Sequence, residues 1–341
     1  FKQKTAYEIM PSLVGSEMCI RDRVKRFNKK FIKEWDQMVW QANNGTIFHT
    51  RKFLAYHPQD RFIDHSLIFC KKNKPYVLLP AAEVINVQDK MLISHPGASM
   101  GSFVVPEDLS IANALELVDA LNSYAKNQGF SGVRITLPPT IYNKRQSNYI
   151  DFSLLQCGYQ YLKREVSSIL FLEDSIEENM AKFNPAHRRA VRKAQRMDVD
   201  VRRTNDIESF YEILRKNLKT RHGVEPTHTV AELKSLQTLF PDHVQLNGAF
   251  VKDIMIGGVV NFIANNDVIL AFYISHDEDY QEYRPINLLF YEIFRWAISN
   301  NYSVFDFGIF TVNEEPNMGL AKFKEKFGAS GIFRDTLDYY F

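Results

Sequence analysis

The sequence predicts an α/β chain of the α+β kind, built as two similar halves, each a mixed, mostly antiparallel sheet flanked by helices. Three observations carry this expectation. Apolar, β-branched runs recur around turn residues in both halves. In each half such a meander leads into one amphipathic helix and then a further strand. The composition, 45% apolar and 24% charged over 341 residues, is that of a globular chain long enough for two domains.

The first residues stand apart. FKQKTAYEIMPSLVGSEMCIRDR lacks a basic start, an apolar core and a small-residue cleavage site, so it is no signal peptide. TAYEIMPSLVGSEMCIRDR resembles translated adapter sequence, and residues 1–23 read as a non-native or disordered extension. From Asn28 to Ala42, Phe31, Trp35, Met38 and Val39 share one helical face, with Gly45 just beyond. A second short helix carries Phe53, Leu54 and Tyr56. DHSLIFCKKNKPYVLLPAAEVI reads as a hairpin around Lys71–Lys74, and KMLISHPGASMGSFVV as a strand pair broken by Pro96-Gly97. Ser110 to Gly129 is a helix with Ala114, Leu117, Val118, Leu121 and Ala125 inward, and GVRITLP is a strand. A short helix, a turn and a strand follow in DFSLLQCGYQYLKREVSSILFL, which places a domain boundary near Gly158–Arg164. The expected division is 24–160 and 161–341. No Gly-, Ser- or Pro-rich linker separates the halves, so they should pack tightly.

The second half holds three apolar runs from Gly248 to Ser275, broken at Lys252-Asp253 and Asn265-Asn266-Asp267. Pro285 suits the first turn of a helix with Ile286, Leu289, Phe290, Ile293 and Ala297 on one face. SVFDFGIF is a buried strand, and GLAKFKEKFG a short helix closed by Gly328.

Several stretches could carry chemistry. Ser175 with Glu178 caps one helix, and Asn184-Pro185 starts the next. On that second helix Arg188, Arg192 and Arg196 lie one turn apart, with Arg189 and Lys193 beside them. Lys182 to Arg203 holds eight Lys/Arg and two Asp, a local +6 within a chain of net charge +2, so the remainder sums to −4. Such a face calls for a phosphate-rich ligand, namely tRNA, a nucleotide-sugar diphosphate or a CoA, unless it is a solvated face with partners elsewhere. In contrast, His276 to Pro285 contains no glycine and four carboxylates where a strand meets a helix. A glycine-rich junction at that point can hold a diphosphate on backbone N–H groups; this one would repel it.

Asp306 sits between Phe305 and Phe307 and must find a partner or a proton, as a general base or, preferred here, as a structural anchor. Tyr273 could orient a substrate. Thr50-Arg51 and the loop Ser94 to Gly101, with His95 and Ser99, are the candidates in the first half. Neither a catalytic triad order nor metal-ligand spacing is present, and Cys19, Cys70 and Cys157 show no C-x-x-C pattern. No apolar run approaches the ~20 residues of a membrane-spanning helix. A reduced, cytoplasmic setting is the default expectation.

PINLLFYEIFRWAISNNYSVFDFG…GLAKFKEKFG, with NGTIFHTRKFLAYH in the first half, resembles the Fem-type transferases, which join amino acids from aminoacyl-tRNA to cell-wall precursors. The resemblance implies two tandem acyltransferase domains of the GNAT type. It implies that the Phe323-Lys324 pair lies at the acyl-transfer site, and that the R-x-x-x-R-K-A element of the basic helix is functional. It also implies no CoA loop, hence no cofactor. The expected partners are aminoacyl-tRNA and a nucleotide-sugar or lipid-linked cell-wall precursor. The alternatives are an acetyl-CoA-dependent N-acetyltransferase acting on a sugar or amino acid, and a non-catalytic RNA-binding protein. The acceptor, the amino acid transferred and the oligomeric state are not specified by the sequence.

Overall fold

In the computed structural model, which describes residues 24–58, 60–86 and 89–341, the turn residues do what their chemistry dictates. Lys72-Asn73 and Lys252-Asp253 all take positive φ, the mirror-image turn that matches strand twist. They join β3 (Leu67–Lys71) to β4 (Lys74–Leu79) and β10 (Val244–Val251) to β11 (Ile254–Ile263). The extension at 1–23 lies outside the described residues.

The remaining strands of the main sheet are β2 (Ile63–Asp64), β5 (Ala81–Ile85), β6 (Lys90–Ser94), β7 (Gly132–Thr136), β8 (Gln160–Phe171), β9 (Asp200–Thr204), β12 (Val268–His276), β13 (Val304–Ile309) and β16 (Ser330–Tyr340). They form one sheet in the order β2-β5-β6-β7-β16-β8-β13-β12-β11-β10-β9. β16 and β8 run antiparallel at its middle. On one side β6 and β7 are parallel, joined through the helix Ile111–Asn127. On the other β12 and β13 are parallel, joined through the helix Pro285–Ser299. The two halves therefore repeat one arrangement about a shared centre. β16, following the second half in sequence, also pairs with β7 of the first. β3 and β4 stand apart with β1 (Val24–Arg26) as a small sheet, and β14 (Thr311–Val312) pairs with β15 (Glu315–Pro316) as a two-stranded ribbon.

The expected strand pair around Pro96-Gly97 is half realised. β6 forms, but Phe103 to Val105 makes only one bridge, between Val104 and Leu78, because Pro106 lacks the N–H that would extend it. Residues 205–242, to which the sequence analysis assigns no element, hold two helices. Ile207–His222 is capped by Asp206 and closed by Gly223 at φ 65°, and Val230–Leu239 begins with a Thr229/Glu232 capping box. They cover one face of β10–β12, where Phe210, Leu214 and Leu236 meet Phe262 and Leu270. The same core takes in Ile47, Phe48 and Tyr142 from the first half, so the halves share buried apolar surface. The opposite face is covered by Pro285–Ser299 and the basic helix Pro185–Arg196. Among the described residues no helix is long and apolar enough to cross a membrane.

Candidate active site

Two parallel strands that part company create the site. Val268 to Leu270 pair with Val304 to Asp306. Beyond this, β12 continues to His276 against β11, while β13 turns away and next pairs Ile309 with Ser167 of β8. Gly308, at φ 75°, makes the turn in a region that side chains disfavour. From Ala271 to Ile274 the β13-facing edge of β12 is thus unpaired. A cleft of about 1080 Å³ opens there, at the carboxyl ends of the parallel strands, where ligands enter open α/β sheets. It runs across the shared strands into the first half, reaching Ser94 to Ser99, Arg134 and Thr136.

Lys324 is the cation at the splay. Its helix, Met318–Glu325, begins where Asn317 accepts the N–H of Leu320, and buries Ala321 and Lys324 while Phe323 turns to the aromatic core. Lys324 is 2% exposed, and Nζ donates to the carbonyls of Gly308 at 2.7 Å and Ile309 at 2.8 Å. Burial pushes its ammonium down to about 7, against the pull of Asp306 and with some repulsion from Arg334.

Asp306 is fully buried. It accepts the Tyr142 hydroxyl at 2.8 Å, the Ser167 hydroxyl at 2.5 Å and the Gly308 N–H at 2.7 Å, and pairs with Arg334 at 3.2 Å. These partners occupy the carboxylate, so its geometry is that of an anchor rather than a base for an incoming amine. The cleft lining adds Arg134, held bidentate by Asp338, and Lys163, Glu165 and Arg334. Tyr273 lines the cleft on the free edge of β12, and its hydroxyl lies 2.9 Å from Nδ1 of His228. Nε2 of His228 meets the Tyr56 hydroxyl at 3.0 Å. Burial holds His228 down to about 4 and His95 to about 3, so both are neutral.

Of the residues singled out in the sequence, the cleft brings together Lys324, Tyr273, His95 and Ser99. Phe323 is placed behind it, 5.3 Å from Phe327 and 6.2 Å from Phe290. Arg51 is remote from the cleft lining: it forks onto Asp64 and lies 4.0 Å over Phe27, a packing role. Arg188, Arg189, Arg192, Lys193 and Arg196 do not line the cleft either. Their helix meets Met318–Glu325 through His187 against Phe323 and Phe327, on the aromatic side of the helix whose Lys324 faces the cleft. Arg189, Arg192 and Arg196 are exposed, and no acid lies within salt-bridge reach of them among the described residues. Arg188 donates to the carbonyl of Ala181. In the acidic loop, Asp277 and Asp279 both hold Lys216 at 3.1 Å, and no side chain caps the helix that follows. Missed in the sequence were Glu165, Arg334, Arg134, His228 and the wall from Val224 to Thr227. The Lys-Arg-Glu run in β8 was the only available signal, and it reads as surface charge.

Residues 181–325 match the acetyltransferase (GNAT) domain. No curated protein matches the sequence. Among solved structures, FemX superposes with a TM-score of 0.73 at 12% identity, over 94% of this chain and 97% of that one. The C-terminal domain of a putative lysylphosphatidylglycerol synthetase from Agrobacterium fabrum gives 0.56 at 10% identity, over 92% of each. A tandem GNAT protein from the clavulanic acid biosynthesis pathway gives 0.52 at 11%, over 93% and 98%. The fold is the tandem GNAT fold shared with FemX, and with the matched domain the chain is an acyltransferase.

Two outcomes follow from the buried charges. Tyr142→Phe should cost about 1–2 kcal/mol in urea denaturation, and Asp306→Ala about 3–5 kcal/mol, because it strands the Arg334 charge; an Asp306→Ala protein as stable as the parent would show that the network holds nothing. Lys324 keeps its proton to about 7 when folded, against an ordinary 10.5. Between those values the unfolded chain binds more protons, so this group's contribution to stability rises with pH, and below about 7 it is flat. The parent should therefore gain ~2–4 kcal/mol relative to Lys324→Met between pH 7 and pH 10. A pH-independent difference would mean that the folded chain never releases the proton.

Proposed function

We propose that this acyltransferase moves an aminoacyl group from aminoacyl-tRNA to an amine of a cell-envelope precursor, peptidoglycan or polysaccharide. The observation that carries the reading is the buried Lys324 at the splay. A donor arm laid along the unpaired edge of β12 would gain main-chain hydrogen bonds, and its carbonyl would sit beside the buried ammonium that the strand carbonyls already aim. Lys324 in its charged form would stabilise the oxyanion as nitrogen attacks. No covalent intermediate and no coenzyme is required, because positioning and charge stabilisation suffice.

The donor assignment draws support from two further features. Exposed arginines without acid partners suit phosphates of an extended polyanion. The acids ahead of Pro285 disfavour a coenzyme diphosphate at the place where a helix N-terminus could otherwise take one. A cleft shared by both halves leaves space for a second substrate, here a nucleotide-linked or lipid-linked precursor. An acyl-CoA donor is the second reading, favoured by one observation: the N-terminus of Pro285–Ser299 has no side-chain cap.

The two donors are separated by assaying transfer from charged tRNA and from acetyl-CoA in parallel. Turnover with the tRNA donor alone is expected; turnover with acetyl-CoA alone would overturn the assignment, and tRNA binding without transfer would make the chain an RNA-binding module. Lys324→Ala should lower kcat about 10²–10³-fold, and the rate should fall as pH rises through about 7, where Lys324 loses its proton. The triple variant Arg189→Ala, Arg192→Ala, Arg196→Ala should weaken tRNA binding and reduce the slope of log affinity against log salt by about 3. Unchanged binding and slope would remove the basic helix from the mechanism.

A further inference from the structure

Two polar atoms in the cleft lining have no partner. Glu165 is 5% exposed. Its Oε1 accepts the N–H of Asn313 at 2.9 Å, and its Oε2 bonds to nothing. Directly across the ladder from Glu165 stands Arg334 of β16. The Arg334 fork reaches Asp306, but its Nε–H is buried and unpaired. Each unpaired buried group costs about 1–3 kcal/mol, and such groups in a folded chain call for an explanation. Both residues line the cleft that also holds Lys324. The charged groups around Glu165 are Lys163 on its own strand, 3.8 Å away and too far to hydrogen-bond, Arg334 from β16, Lys324 from its helix and Glu314 from the adjoining turn.

An unpaired acceptor and an unpaired donor on facing residues, whose Cβ atoms lie about 4.5–5.5 Å apart, suit a polar group that donates and accepts, and in an acyltransferase cleft the group to be seated is the acceptor's. That group is an amine with a carboxylate or carbonyl oxygen a few bonds away. We propose that Glu165 seats the acceptor's ammonium group and removes the proton that blocks nitrogen attack, while Nε of Arg334 holds an oxygen of the same acceptor. The proposal deepens the acyl-transfer reading and rests on it for the reaction, though not for the binding. Asp306, the other buried acid near the splay, is committed to its four partners.

The proton and electron accounts close. The ammonium gives one proton to the Glu165 carboxylate and becomes an amine. The nitrogen lone pair forms the C–N bond to the acyl carbon, whose oxygen takes up charge beside Lys324. The bond from acyl carbon to the leaving oxygen (sulfur in a thioester) then breaks, and the departing atom takes the second proton from nitrogen. Glu165 returns its proton to solvent when the amide leaves.

The test uses the full chain with alanine, alaninamide and N-acetylalanine as probes. By calorimetry alanine should bind, and N-acetylalanine, which has no ammonium, should bind at least ~10-fold more weakly. Glu165→Gln, which keeps an acceptor for the Asn313 N–H, should weaken alanine and alaninamide ~10-fold or more and leave N-acetylalanine unchanged. A parent chain that does not bind alanine, or a variant that binds it equally, overturns the proposal. In transfer assays Glu165→Gln should lose about 10²–10³-fold in kcat/KM with a basic amine at pH 7. That loss should shrink about tenfold per pH unit as the amine deprotonates by itself, and should vanish with a weakly basic acceptor such as methoxyamine. A loss that is uniform across pH and across both amines would reduce Glu165 to scaffolding. No transfer from either donor, with alanine binding intact and sensitive to Glu165→Gln, would sink the reaction reading and leave the ammonium seat standing.

Discussion

The Asp306 carboxylate is the constraint on which the site depends. A charge removed from water is tolerable only when opposite charge and hydrogen bonds surround it. Here the partners come from the segment after β7 (Tyr142), from β8 (Ser167), from β13 itself (Gly308 N–H) and from β16 (Arg334). Four parts of the chain, distant in sequence, are thus fixed at one point. Asp306 is also the last residue of β13 paired with β12, opposite Leu270. The carboxylate that holds the Gly308 N–H therefore holds the bend at which the strands separate. That bend aims the Gly308 and Ile309 carbonyls at Lys324. The splay, the carbonyl pair and the buried lysine meet at one carboxylate.

The same burial sets the electrostatics around it. Desolvation draws Lys324 close to neutrality, while Asp306 pulls the other way, so a modest change in surroundings alters its charge. On the reading proposed above, a bound carbonyl acquiring negative charge would be such a change and would favour the ammonium in the transition state. The histidines of the wall are kept neutral by burial and contribute shape and hydrogen bonds rather than charge. The cleft's cations are accordingly Lys324, Lys163, Arg134 and Arg334, of which Arg134 and Arg334 are already paired with Asp338 and Asp306.

What could be read from the sequence was whatever local chemistry writes. The Lys252-Asp253 turn, the Pro285 start, the alternation about Asp306 and the helical phase that separates Lys324 from Lys322 and Lys326 all depend on neighbours within a few residues. The floor of the cleft does not. Glu165 faces Arg334 only because β16 returns from the end of the second half to lie against β8, a pairing across 169 residues that no local pattern encodes. Tyr142 likewise reaches Asp306 over a separation of 164. His228 became visible behind the wall only once the two helices of 205–242 were in place, although Ile207, Phe210, Leu214 and Leu218 recur there at helical spacing and the Thr229/Glu232 capping box is local. Charge density points away from the cleft. The strongest cluster in the sequence, Arg188 to Arg196, lies outside the cleft, whereas the cations inside it are scattered along the chain and are mostly half-neutralised.

On the reading proposed above, the place of that cluster outside the cleft bears on the donor. The helix Met318–Glu325 intervenes, with its aromatic side toward His187 and its lysine toward the cleft. A donor that can use both places must carry its acyl group on a strand long enough to pass around the helix while its phosphates remain on the arginine face. Nucleic acid meets that requirement with many phosphates, each adding a small, salt-sensitive increment. On the reading proposed above, a donor that engages both the arginines and the cleft would be a large polyanion. If the arginines do not engage it, the phosphates must be sought at the uncapped start of Pro285–Ser299, where the Lys216 bridges to Asp277 and Asp279 would have to yield first.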